Sequence, residues 1–434
     1  MNSANTVGKQ REKFRLFGRD PLSLQQNRIL NVFSFTVVGG TFAAMLGIIL
    51  YYVYAFAALS HGSHSFDWLL GIFSDFVYIM NVSLEESPYL IEDSSYPPIA
   101  IAVLYPFALL CKGVFAKYAN EILTVDELTS RVVLHWQFWL AMSLFFVICS
   151  AIIILLVIYK YKLPPIQALK VGMIILTSAP FAFAVMRGNT IYFAMIFLLL
   201  FLVLYEHRNP FVREIGYICL VLAGLIKIYP LFFGVFLLCK KKLWASARIA
   251  IYTFALFGLS FLLLERGMSD FRPFVENLGE FASNDLRLIA GNNLSITAIL
   301  YKLCALFSIK AAFPALNLIV IIAVFILATA CAVFTRSEFS RYAIAASVVV
   351  LIPSISYFYV LIFTLLPFME FIKNYDSLPS AKRYLYTVLF LIIFFTPLIL
   401  PKYFILQSLA VIVMLSVECS NVLKKELSVK KKVI

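Results

Sequence analysis

The sequence predicts an all-α protein, a polytopic transmembrane bundle of about ten to thirteen helices, since a bilayer crossing takes roughly 20 apolar residues. Three observations carry this. Of 434 residues, 62% are hydrophobic and 14% charged, against roughly 45 to 50% and about 25% in soluble domains, so no water-soluble surface can be assembled from this chain. Long apolar runs recur from one end to the other with loop-sized gaps, which predicts one integral membrane domain over residues 1–434 with no soluble appendage. The net charge of +13 is concentrated beside those runs, where membrane topology and anionic headgroups explain it, so nucleic acid is excluded as the partner.

Taken in order, residues 1–29 form a basic tail with Lys9, Arg11, Lys13, Arg15, Arg19 and Arg28. The apolar block 30–59 that follows is too long for a signal-peptide core of about 7 to 15 residues and reads as an uncleaved first helix. Basic flanks favour the cytoplasm, so this tail and the 423–434 tail, with Lys424, Lys425, Lys430, Lys431 and Lys432, are both expected there. Residues 60–96 then form a first exoplasmic loop. Its apolar residues, among them Phe66, Trp68, Phe73, Phe76 and Ile79, alternate with polar ones in a pattern suited to helices lying along the membrane surface. Further blocks follow at 97–117, 131–159, 165–186, 190–206, 215–239 and 249–264. A second large exoplasmic loop occupies 265–293, with blocks at 294–309, 313–335, 342–372, 384–400 and 403–422 beyond it.

Basic flanks place Lys160, Lys162, Lys240 to Lys242, Arg336, Arg341, Lys382 and Arg383 on the cytoplasmic side. Parity then fails if every block spans. Block 97–117 begins at Pro97 and Pro98 and contains Pro106, so it is expected to be broken or re-entrant, which is allowed where protein covers the backbone. Block 215–239 carries Lys227 and Pro230 at its middle. It is either one span with a buried lysine or two short helices meeting at an exoplasmic turn, and the cost of a lysine at mid-bilayer favours the second. The seven cysteines lie in or beside apolar runs and read as small buried hydrophobes. Four histidines include one close pair, His61 and His64, with no array of ligands around it, so no metal site is expected.

Chemistry concentrates in the first loop. Asp75 stands among Phe73, Phe76 and Tyr78 in an amphipathic stretch, followed by Ser87-Pro88-Tyr89 and Tyr96-Pro97-Pro98. A carboxylate partly withdrawn from water in this way is suited to general-base work. A solvated face of an interfacial helix is the bland alternative.

Asp-Phe followed by Tyr, then Pro-Tyr, then Tyr-Pro-Pro, resembles the first exoplasmic loop of GT-C glycosyltransferases, specifically glycosyltransferase family 87, the polyprenyl-phosphate-mannose-dependent mannosyltransferases and their relatives. Later segments are similar to that family in the same order: Arg187-Gly188-Asn189, Ala223-Gly224-Leu225-Ile226-Lys227-Ile228-Tyr229-Pro230, Asn292-Asn293-Leu294-Ser295 and Pro353-Ser354-Ile355-Ser356-Tyr357. Phe358 and Tyr359 stand where the family often has histidines, and the glutamine of its Gly-Gln element is absent.

The resemblance implies a GT-C-like fold that moves one hexose, mannose-like, from a polyprenyl-phosphate donor to a hydroxyl of a glycan or glycolipid acceptor, with inversion, at the exoplasmic face. It implies Asp75 as catalytic base, Lys227 and Arg187 at the donor phosphate, and Tyr96, Tyr229, Asn189 and Asn293 around sugar or acceptor. The lipid-linked sugar is a co-substrate, and neither cofactor nor metal is indicated. The setting expected is a bacterial inner membrane. Loop 265–293 adds Arg266, Arg272 and Arg287 among acids, which reads as a hydrated cap. A polysaccharide polymerase or ligase, and a lipid-linked sugar transporter or flippase, remain as alternatives. Neither is expected to place Asp-Phe and Tyr-Pro-Pro after the first helix, and a transporter is expected to show inverted repeats.

Overall fold

The computed structural model describes residues 22–58, 72–90, 94–119, 121–283, 288, 290–395 and 404–431, with side chains of 44–58, 282–283, 404 and 426–431 excepted. Residues 1–21 of the basic N-terminal tail, Trp68 and its neighbours, His61, His64 and Arg287 lie outside the described residues. Within them the chain is helical: α1 Leu24–Ala58, α2 Ser74–Val82, α3 Pro98–Ala102, α4 Tyr105–Tyr118, α5 Val125–Val132, α6 Trp136–Tyr161, α7 Pro165–Thr177, α8 Ala179–Arg187, α9 Ile191–Leu204 and α10 Pro210–Ile226. A 3₁₀ segment Tyr229–Gly234 leads into α11 Val235–Cys239, then α12 Leu243–Ser260, α13 Phe271–Ser283, α14 Ile296–Leu306, α15 Phe313–Phe334 and α16 Glu338–Leu351. Another 3₁₀ segment, Phe358–Thr364, precedes α17 Leu365–Asn374, α18 Ser380–Phe394 and α19 Phe404–Lys431. Five described helices are long and apolar enough to cross a membrane, or six if the bent pair α7 and α8 counts as one, with three shorter apolar helices between them.

Contacts far apart in sequence define two ends of the bundle. At the lower end Gln26 donates to the Lys373 carbonyl (2.9 Å), Lys160 Nζ approaches the Leu202 carbonyl (3.5 Å) and Cys239 Sγ donates to the Ala332 carbonyl (3.1 Å). At the upper end Asp75 meets Arg187, and Lys227 stands over Tyr96. Between these ends α6 descends, α7 and α8 return, α9 descends and α10 rises to Lys227.

The chain then turns back, so that Cys239 is again at the lower end. Residues 215–239 are thus two short helical arms meeting at Lys227, not one span with a lysine inside. Gly224 permits the hairpin, because a Cβ there would stand 2.3 Å from Leu231 Cγ on the returning arm.

The 97–117 block is broken between α3 and α4, and both its ends are at the upper end. Tyr96 lies by Lys227, while Tyr118 Oη is 3.1 Å from His135 Nε2, just ahead of α6. Midway, Phe107 reaches down to Phe145 of α6. The segment dips into the bundle and returns, so the topology closes without an extra crossing, and α2, α6 and α10 cover its backbone.

Two blocks expected as continuous are not. The run 165–186 bends by 51° between α7 and α8, since Pro180 cannot donate the hydrogen bond that a continuing helix needs and its ring crowds the carbonyl one turn back. The run 342–372 opens at residues 352–357, around Pro353. The hydropathy pattern is blind to both breaks because the residues around them stay apolar.

The core follows α16 and the arm after it: 83% of the Phe358–Ser377 window is buried, against 17% for α15, which faces outward as a lipid-exposed helix does. Ala343, Ala345, Ala346 and Ser347 are fully buried in α16, where small side chains let neighbouring helices approach closely. Toward its lower end, buried Glu418 of α19 accepts from Lys382 Nζ (2.9 Å), Tyr386 Oη (2.5 Å) and Ser340 Oγ (2.5 Å), joining α19 to α18 and α16. Removing one partner of a buried charged network costs roughly 3 to 5 kcal/mol. Glu418→Ala is therefore expected to lower the unfolding temperature of the detergent-purified protein sharply. An unchanged melting curve would show that the network contributes nothing.

Candidate active site

Asp75 lies in the first turn of α2, where the helix dipole favours a carboxylate. Phe73 and Phe76, its neighbours on the helix, pack into an aromatic cluster. Phe73 packs on Phe138 and Trp139 (5.4 and 5.6 Å between ring centroids), and Phe76 packs on Phe145, Phe107 and Phe138. The carboxylate itself is held by polar partners: Arg187 Nη2 donates to Oδ1 at 2.5 Å and Asn189 Nδ2 to Oδ2 at 2.8 Å. The Asp75 side chain keeps 14% of its surface accessible and that of Arg187 keeps 32%. The site is covered but open on the arginine side. The aromatic setting expected from the sequence is correct for the helix and incomplete for the carboxylate, whose nearest groups come from more than a hundred residues downstream.

The turn after α8 explains how Arg187 and Asn189 both reach Asp75. Gly188 is left-handed (φ 61°), its N–H bonds to the Val185 carbonyl (2.8 Å), and the Asn189 N–H bonds to that of Ala184 (3.1 Å). This is a Schellman cap, which favours glycine. Asn189 is fully buried, and its Oδ1 accepts from the Ile191 N–H (3.0 Å), leaving the amide NH₂ for Asp75. In return the Phe73 N–H donates to the Met186 carbonyl (2.6 Å), docking α2 on the end of α8.

Lys227 follows the last residue of α10 in extended conformation. Its Nζ stands 4.6 Å from the Tyr96 ring centroid and 5.8 Å from that of Tyr359, within cation–π range. In this turn, beyond the helix end, burial lowers the lysine to about 8, with the Asp75 carboxylate opposing the shift. Burial, and next the Asp75 charge, push the Tyr96 phenol well above its ordinary range, so it is a neutral hydroxyl. Tyr229 lies two residues on, its ring 5.9 Å from Phe363 and its hydroxyl buried without a hydrogen-bond partner.

Asn293 has a different setting. It is 4% exposed, its Oδ1 accepts from the Ser295 and Ser356 N–H groups (3.2 and 3.0 Å), and its Nδ2 donates to the Ser354 carbonyl (3.2 Å). An isolated antiparallel bridge pairs it with Tyr357. It fastens two loops together. Its neighbour Asn292, with Tyr357, Tyr359, Phe183 and Arg187, lines a pocket of about 240 Å³ beside the Asp75 pair. Of these walls only Arg187 is singled out from the sequence; Asn292, Tyr357 and Tyr359 are quoted in its motifs without a role and Phe183 is not quoted, because spacing says nothing about which loop meets which. A larger groove of about 420 Å³ between α1 and α7, lined by Asn31, Ser34, Phe35, Val38, Gly39 and Met173, shares no residue with this site.

The 265–283 stretch packs on the first loop. Buried Asp270 accepts from Ser87 Oγ (2.9 Å), and Asn277 donates to the carbonyls of Tyr89 (2.8 Å) and Ser94 (3.2 Å). Tyr89 Oη in turn donates to the Tyr96 carbonyl (2.8 Å), so this loop helps to set Tyr96. Arg266 and Arg272 pair with Asp270 and Glu276 of the same loop. Among the described residues no group of three or more His, Cys, Asp or Glu could hold a metal ion.

Comparison with known proteins adds one match. No curated protein and no solved structure matches the chain. The glycosyltransferase family 87 profile matches residues 95–364, which takes in Tyr96, Arg187, Asn189, Lys227, Tyr229 and Asn293 but begins after Asp75. Covering more than half of a chain whose helical architecture and ordered motifs agree with it, that match establishes that the protein belongs to glycosyltransferase family 87.

Proposed function

We propose that this glycosyltransferase moves a single hexose, mannose-like, from a polyprenyl-phosphate donor to a hydroxyl of a glycan or glycolipid, with inversion, and that Asp75 is its general base. The observation that carries the reading is the Asp75 carboxylate, fixed through both oxygens beside a pocket and sharing its end of the bundle with a partly buried lysine. Asp75 takes the proton as the acceptor oxygen attacks the anomeric carbon. The carbon–oxygen bond to the lipid phosphate breaks on the opposite side, and the phosphate departs with the bonding electrons. Its growing negative charge needs cations in a site of low dielectric, and Lys227 and Arg187 supply them. Neither a metal ion nor an organic cofactor has a part in this proposal.

The exoplasmic assignment rests on charge. Lys160, Lys240 and Lys373 gather at the end opposite Asp75, and basic residues flank cytoplasmic ends. On this reading both basic tails are cytoplasmic as well, in one membrane domain of a bacterial inner membrane.

The test is transfer of radiolabelled mannose from polyprenyl-phosphate-mannose to envelope glycolipids in proteoliposomes of the purified protein. No transfer from any polyprenyl-phosphate hexose would refute the assignment. Losing a hydrogen bond to a charged group costs about 1.5 to 3 kcal/mol, so Lys227→Ala should raise the donor KM about 10- to 100-fold.

The pH profile tests the same lysine. kcat/KM reports the free enzyme, in which Lys227 loses its proton through about 8, so an alkaline decline is expected there. Bound phosphate favours the charged amine, so the decline in kcat should lie at higher pH. Lys227→Arg should abolish the kcat/KM decline, and a decline that stays in place would assign it to another group.

A further inference from the structure

We propose that the pocket lined by Phe183, Arg187, Asn292, Tyr357 and Tyr359 receives the pyranose ring of the lipid-linked donor, with Asn292 as a specificity-determining side chain. This rests on the transfer reading above. At about 240 Å³ the pocket is smaller than the roughly 300 to 1,000 Å³ of sites for drug-sized ligands, so it suits one sugar ring and not an oligosaccharide. Its lining offers three aromatic rings, against which the C–H faces of a pyranose can pack, and an amide and two phenols able to bond hydroxyls. Its one charged residue, Arg187, is the residue already paired with Asp75. A free phosphate would find a single cation here, whereas a neutral polyol finds most of the lining suited to it.

The pocket is built before any ligand arrives. Besides the Asn293 bonds, the Leu294 N–H donates to the Ser356 carbonyl (2.7 Å), and Ser295 Oγ donates to that of Ser354 (2.8 Å). These bonds lock residues 293–295 to residues 354–357, with Asn292 and Tyr357 carried on the two locked loops. Groups fixed in this way lose little further freedom on binding, which favours affinity and discrimination.

Location separates the donor sugar from the acceptor. Tyr359 lines the pocket and also stands 5.8 Å from Lys227 Nζ, while Arg187 lines it and contacts Asp75. A ring held there is close both to the amine that would meet the leaving phosphate and to the carboxylate that would activate the attacking oxygen. An acceptor sugar has no need of the lysine.

The experiment compares two ligands that differ only in the sugar, polyprenyl-phosphate-mannose and polyprenyl phosphate, binding to the full chain in nanodiscs. Asn292→Ala is expected to weaken the first about tenfold, as losing one hydrogen-bonding partner in a covered site does, and to leave the second unchanged. Tyr357→Phe, which keeps the ring, should act in the same direction. Equal weakening of both ligands would mean that the residues only hold the fold. Unchanged binding of both, or a raised acceptor KM with donor binding intact, would remove the donor sugar from this pocket. Any of these outcomes overturns the proposal. The readout is binding, so wild-type protein that binds the mannosyl lipid but transfers nothing would fail the transfer reading alone.

Discussion

Replacing Asp75 with asparagine is expected to reduce sugar transfer by about 10²- to 10⁴-fold, the range that a positioned general base contributes. The substitution keeps the shape and removes the proton acceptor. One carbonyl oxygen remains to accept from Arg187, but the new amide then presents a donor to the Asn189 donor. Asn189 cannot rotate to relieve this without losing its bond to the Ile191 N–H. A modest stability loss, on the order of 1 kcal/mol, is therefore expected alongside the large loss of rate. Transfer rate and melting temperature measured on the same purified sample separate the two. Transfer within tenfold of wild type would remove Asp75 as the base, and a fall fully explained by unfolding would leave its role structural.

The second large effect is expected at Gly188, which touches no substrate. Its φ of 61° is unfavourable for any residue with a Cβ, and a Cβ built there would lie 2.2 Å from Phe76 Cβ. Phe76 cannot yield alone, since its ring is enclosed by Phe107, Phe138 and Phe145. Relief has to come from moving α2, and Asp75 is the residue just before Phe76. Overpacking costs about 1 to 3 kcal/mol, and the left-handed backbone adds about 1 to 2.

A displacement near 1 Å at a reacting group costs on the order of 100-fold in rate. Gly188→Ala should therefore lower both the melting temperature and transfer by about these amounts. Gly113→Ala is the control, because a Cβ there meets nothing within 4 Å and alanine favours a helix. Equal activity of the two variants would show that the docking of α2 on α8 is not what sets the carboxylate.

The site was legible where chemistry coincides with a local pattern. Asp75 is conspicuous as a carboxylate in an aromatic stretch, and Lys227 as a charge inside an apolar block. Arg187 and Asn189 came only with the motif resemblance. That both contact the same carboxylate depends on a cap turn and on α2 docking over a hundred residues away. Asn293 shows the opposite case: the motif singled it out beside the sugar, while its carboxamide is occupied by backbone groups of another loop. Asn292, Tyr357 and Tyr359 stand at the pocket for the same reason that they were passed over, since a wall made from two loops has no signature in either one.

By itself the sequence determined the solvent and the architecture. A chain this apolar can fold only where backbone hydrogen bonds close within each segment, which leaves helices in a membrane. Paired prolines and a mid-block lysine also marked, from local energetics alone, where the re-entrant segment and the Lys227 hairpin break the helical pattern. Tertiary structure decided the partners of Asp75 and the walls of the pocket, while the breaks at Ser178 and residues 352–357 go with Pro180 and Pro353, which hydropathy passes over. Hydropathy records how favourably a residue leaves water and does not record the direction in which it then faces. In a chain that is apolar nearly throughout, that direction is set by which helix packs against which.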